Sequence, residues 1–128
     1  MTPRQMLAIG ELWRRRGEVG GNGGNGTNGS GSGRRILPAA WVDTSCVPVT
    51  RSRYDSDRLY GQGWWIQTIG GHQACFAWGF GGQYIFVFRD LDTVVVVTSS
   101  TARSDERFDY RRSLFDLIAR HVLPAVSS

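Results

Sequence analysis

The chain has 128 residues, 41% hydrophobic and 12% aromatic, a composition that excludes a disordered chain and predicts one packed core. Its formal net charge of +4 rests on arginine alone, because none of the 15 basic residues is lysine; every chemistry that needs a lysine amine is excluded. No segment reaches the ~20 apolar residues of a membrane span, and Met1-Thr2-Pro3-Arg4-Gln5 does not open a signal peptide.

In chain order, Thr2-Pro3-Arg4-Gln5 predicts a helix start: a capping threonine, proline at the first helical position and a glutamine placed to reach back. The helix is expected to run to about Arg16, with Met6, Ile9, Gly10 and Trp13 on its buried face. Arg14, Arg15 and Arg16 suit the carbonyl end of its dipole, and Gly17 stops it. From about 20 to 33 the chain is almost only Gly, Asn and Ser, with no apolar surface to offset ordering entropy, so a flexible insert within one domain is expected. A phosphate-binding loop is excluded there, since no Gly-Lys-Ser/Thr follows.

A short helix is predicted from Pro38 to about Thr44, then a polar surface connection from Cys46 to Tyr60. Strands are predicted over Gln62–Ile69, Ala74–Gly79, Gln83–Phe88 and Thr93–Thr98, with a turn at Gly70-Gly71 and a tight connection at Arg89–Asp92. Tyr84, Phe86 and Phe88 alternate with Ile85 and Val87, so both faces of this sheet are apolar and both need cover. The adjacent Trp64 and Trp65 point to opposite faces and fill core. Ser104, Asp105 and Glu106 precede a last helix, about Arg107 to Leu123, ended by Pro124 and carrying Leu114, Leu117, Ile118, Val122 and Ala125 as its apolar stripe. The fold class is therefore α/β in the α+β sense, an antiparallel sheet flanked by helices.

Two cysteines, Cys46 and Cys75, lack CxxC spacing and read as buried, unreactive thiols. Short basic runs, Arg14-Arg15-Arg16, Arg34-Arg35 and Arg111-Arg112, read as solvated surface; nucleic acid is not an expected partner. His72 sits in a glycine turn, His121 in the last helix, and no Gly-x-Ser-x-Gly elbow exists among the eleven serines, so no Ser-His-Asp triad, metal site or cofactor is expected.

From Tyr60 to Ser100 the sequence reads YGQGWWIQTIGGHQACFAWGFGGQYIFVFRDLDTVVVVTSS and resembles the C-terminal part of β-lactamase-related serine hydrolases, the class C β-lactamase, penicillin-binding-protein and esterase group. MTPRQMLAIGELW and RRILPAAWVDTS are similar to the helix, connection and short helix just upstream in that family, which has a much shorter link in place of the insert. The resemblance implies that residues 1–128 are the C-terminal segment of one hydrolase domain of the β-lactamase/transpeptidase-like fold. It places Met1 in the middle of that domain, and a truncated, split or partial gene product is expected.

In that family the chemistry precedes this region: a Ser-x-x-Lys motif with the acylated serine, and a Tyr-x-Asn motif. Neither is present here, since there is no lysine and none of Tyr54, Tyr60, Tyr84 or Tyr110 has asparagine two residues later. No catalytic residue is therefore assigned, and the chain alone is expected to be inactive. The family's third motif, Lys or His, then Ser or Thr, then Gly, is matched by Ala77-Trp78-Gly79, a departure that argues against β-lactam carboxylate recognition and fits an esterase, amidase or uncharacterised branch better. The resemblance makes Trp78, Gly79, Phe80 and Gly81 the strand edge that offers backbone donors to an oxyanion; the plainer reading is that these glycines permit a bulge. The implied partners are a complementing half carrying Ser-x-x-Lys and a small ester or amide. The compartment stays open, although the family is often periplasmic or secreted. A different reading is a non-catalytic module that binds a partner through an open sheet edge.

Overall fold

The structure, a computed structural model, describes residues 1–20, 33–54, 56–79, 81–100 and 107–127. All of the expected Gly/Asn/Ser insert but its end residues, together with Phe80 and the expected acidic cap at Ser104, Asp105 and Glu106, lies outside the described residues.

Helix α1, Pro3–Arg14, starts as its sequence dictates: Gln5 N–H donates to Thr2 Oγ1 at 3.2 Å and Thr2 N–H to Gln5 Oε1 at 2.8 Å, a reciprocal capping box. It ends two residues before Arg16, with Gly17 N–H reaching Leu12 O at 2.8 Å and Arg16 N–H reaching Trp13 O at 3.1 Å, the paired bonds of a Schellman motif. Arg16 therefore holds the left-handed position, at φ +53°. At Gly17 a Cβ would stand 2.2 Å from Leu37 O, so only glycine fits. Strands β1, Glu18–Val19, and β2, Arg34–Arg35, pair antiparallel on either side of the insert. Helix α2, Ala39–Ser45, follows Pro38, which precedes the first turn instead of opening it.

The main sheet has six strands in chain order: β3 Thr50–Arg51, β4 Leu59–Tyr60, β5 Trp65–Ile69, β6 His72–Gly79, β7 Gln83–Phe88 and β8 Thr93–Val97. Every adjacent pair is antiparallel. The expected surface connection from Cys46 to Tyr60 thus carries β3 and β4, whose two residues each are too few to show a period of two. β5 begins at Trp65 instead of Gln62, because Gln62 N–H goes to Ser45 O at 3.0 Å and leaves the ladder. Gly70 and Gly71 make the β5–β6 turn at φ +59° and +83°, the positive values that a tight two-residue hairpin requires.

Both faces of the sheet are covered. On one, Met6, Ile9 and Trp13 of α1 pack with Trp64, Cys75, Ile85, Val87, Val94 and Val96. On the other, Phe76, Tyr84, Phe86 and Phe88 lie under Leu114, Phe115, Ile118, Val122 and Leu123. The two tryptophans part as alternation requires, Trp64 to the α1 face and Trp65 to the other. The last helix starts at Arg107 as α3, Arg107–Leu117, passes through a π-helical turn, Ile118–Val122, and continues as α4, Leu123–Val126. Pro124 does not end it, because the wider π turn just before accommodates the missing N–H and the ring. Leu117 is exposed and Phe115 packs inward before that turn; past it the extra residue shifts the stripe, so Leu123 packs inward and Ala125 is exposed.

The cysteines are not free thiols: Cys46, just past α2, and Cys75, in the middle of β6, form a disulfide with Cα atoms 5.8 Å apart. No helix among the described residues is long and apolar enough to cross a membrane.

Candidate functional site

The far end of the β6–β7 hairpin carries the residues picked out by the third motif. Ala77, Trp78 and Gly79 pair with Ile85, Tyr84 and Gln83, whereas β5 follows β6 only as far as Trp65 opposite Phe76. β6 is therefore an interior strand over His72–Phe76, and on the β5 side its last three residues run on with no strand beside them among the described residues.

The glycines here have different causes. Gly81 and Gly82 adopt φ +84° and +93°, values that the turn into β7 demands. At Gly82 a Cβ would also come within 3.0 Å of Ser99 Oγ and 3.1 Å of Tyr110. Gly79 sits in an unbroken ladder opposite Gln83, with no bulge between Cys75 and Gly79, and a Cβ there would lie 3.5 Å from Gln83, an ordinary contact. Neither backbone conformation nor packing requires glycine at 79. Phe80 lies outside the described residues.

Trp78 is 38% exposed, yet its ring is held on several sides. It stacks on its cross-strand partner Tyr84 at 6.2 Å and an interplanar angle of 2°, and meets Trp65 edge-on at 6.2 Å. The Arg58 and Arg111 guanidiniums each lie 4.9 Å from its centroid, within cation–π range. Arg58 is only 4% exposed and also lies 5.8 Å from the Trp65 ring. Tyr84 is buried at 1% exposure, and burial pushes its phenol up to about 12, against the opposing pull of Arg111 and Arg58. Burial thus keeps the phenol in its neutral form, packed as an aromatic among Phe76, Phe86 and Phe115. Behind the hairpin, Gln83 Nε2–H donates to Ser99 O at 2.7 Å, Ser99 N–H donates to Gln83 Oε1 at 3.2 Å, and Ser99 Oγ lies 2.5 Å from Tyr110 Oη.

Elsewhere the chemistry is structural. Ser45 is fully buried; its Oγ accepts from Trp13 Nε1–H at 2.8 Å and donates to Val42 O at 2.7 Å. His72 Nδ1 lies 2.5 Å from Asp90 Oδ2, a pairing across two turns that the sequence did not signal. No serine hydroxyl among the described residues bonds this histidine, and it sits at the start of β6, roughly 20 Å along the strand from Gly79. Among the described residues no group of three or more His, Cys, Asp or Glu is placed to hold a metal ion.

Against protein-family models, curated proteins and solved structures, no comparison returns a match to this chain.

Proposed function

We propose that this chain is the C-terminal part of a β-lactamase-related serine hydrolase, inactive alone and completed by a polypeptide that carries Ser-x-x-Lys. Two things support the reading: the likeness of Tyr60–Ser100 to that family, and the antiparallel sheet held between helical layers. The observation that carries it is Gly79, a glycine that its own fold does not require, on the part of β6 that outruns β5. A substrate acyl group approaching that main chain would need the Cβ to be absent, and its oxygen could accept hydrogen bonds from backbone N–H groups. Trp78, fixed by Arg58, Arg111 and Tyr84, would then wall the acyl pocket of a small ester or amide with an aromatic face flanked by two guanidiniums.

Fluorophosphonate labelling tests this. The 128-residue chain alone takes no label, whereas co-expression with a Ser-x-x-Lys-bearing half yields a complex labelled on the partner's serine. In that complex Gly79→Val lowers ester kcat/KM by at least about tenfold while the chain stays folded. Covalent labelling of a serine in this chain by itself overturns the reading. A second reading, a partner-binding module, is favoured by the outer edge of β8, which no strand covers among the described residues.

A further inference from the structure

β8, Thr93–Val97, is the last strand of the sheet; β7 lies on one side and no strand of the described residues on the other. Its side chains are half-buried, with Val94 and Val96 packed toward α1 and Val95 and Val97 toward the C-terminal helix. An incoming strand must therefore be apolar on both faces.

Exposed apolar side chains also stand on both flanks of this edge. On α1, Gly10 stands over Val94 and Arg14 reaches Asp92 at 2.8 Å; Leu7, one turn before Gly10 and two before Arg14, falls on the same β8 side. It is 42% exposed. On the opposite face, Tyr110 meets Ser99 just past β8, and Leu117, two turns further along α3, shares its side. These are 45% and 51% exposed. Edges that must stay alone normally carry charges or proline, yet between Asp92 and Arg103 this chain has neither.

We infer that β8 pairs antiparallel with β8 of a second copy of this chain about a two-fold axis, joining the two sheets into one. The charge pattern favours this occupant. With Val95 opposite Val95, Asp92 of each copy faces Thr98 of the other, so no like charges meet along the junction. Each β8 also supplies the strand that the other edge demands, apolar on both faces, and Leu7, Tyr110 and Leu117 close over the join. The inference rests on the second reading above and not on the hydrolase reading.

Sedimentation from about 1 to about 100 µM, with amide exchange at both extremes, tests it. The expected result is a shift from 14.2 kDa toward twice that mass, with protection gained in β8. Leu7→Lys combined with Leu117→Lys, both at exposed sites, keeps the circular dichroism and, at about 1 µM, the melting temperature, but stays monomeric up to about 100 µM. Thr93→Lys, which places a charge on the edge itself, also stays monomeric, with a lower melting temperature because it removes the bond from Thr93 Oγ1–H to Leu91 O. A wild type that stays monomeric, open-ended aggregation, or dimers that survive the lysine variants with β8 unprotected overturn the inference. None of these outcomes alters the labelling result that tests the hydrolase reading.

Discussion

At the residue scale, Asp43 shows how a single side chain ties distant segments. Its carboxylate accepts from Arg16 at 2.6 Å and from Arg89, joining α2 to the end of α1 and to the β7–β8 turn. Hydrogen bonds from Arg16 first and Arg89 second hold its pKa down to about 2, against an ordinary 3.8. A carboxylate depressed in the folded state stabilises it fully above the ordinary value and loses that contribution as pH falls toward the folded one. The denaturation midpoint is therefore expected to drop between about pH 4 and pH 2. In Asp43→Asn this drop is shallower and the midpoint at pH 6 is lower, which urea titrations at stepped pH will read. Nothing in the sequence marked Asp43, whose partners lie 27 and 46 residues away. The alternating Tyr84, Phe86 and Phe88, by contrast, were legible because their order along the strand sets their face.

At the element scale, the start of α1 could be read directly, since a capping box is a contact between residues three apart. Gly10 was readable as part of the buried face, but the reason it is glycine lies in β8. A Cβ there would stand 2.5 Å from Val94 Cγ1 and 3.0 Å from Ile85 Cγ2, and β-branched side chains give way poorly. The helix tolerates a residue that costs it about 1 kcal/mol in propensity so that it can lie close on the sheet. Gly10→Leu is expected to destabilise the fold by about 1–3 kcal/mol despite leucine's better propensity, measured as a lower midpoint in chemical denaturation. At the other end of the chain, Pro124 predicts a stop, yet the helix runs on to Val126 through its π turn. A turn of that kind is decided by Ile118 and Leu123 both needing the core, and no local spacing rule encodes it.

At the scale of the whole molecule, the Cys46–Cys75 disulfide clamps the segment after α2 onto the centre of the sheet. The cysteines are 29 residues apart, and closing a loop of that size in the unfolded chain is worth about 3–4 kcal/mol. Cys46→Ser with Cys75→Ser, or reduction by dithiothreitol, should lower unfolding free energy by about that amount, read from urea curves with and without reductant. Unchanged curves would mean that the segment is held by Trp13, Ser45 and Trp64 alone. The same clamp anchors the start of the stretch from Cys46 to Tyr60, aperiodic in sequence, from which Thr50–Arg51 and Leu59–Tyr60 join the sheet.

The sequence alone determined the local elements, a sheet apolar on both faces and therefore covered twice, and the absence of any lysine chemistry. Periodicity, caps and composition act between near neighbours, so they can be read in one dimension. Tertiary structure alone decided that Cys46 meets Cys75, that α1 covers the face the C-terminal helix leaves, that β6 outruns β5 at Gly79, and that β8 is the last strand of the sheet among the described residues. Each of these depends on which distant segments come together to bury their apolar faces, a choice made by the packed whole.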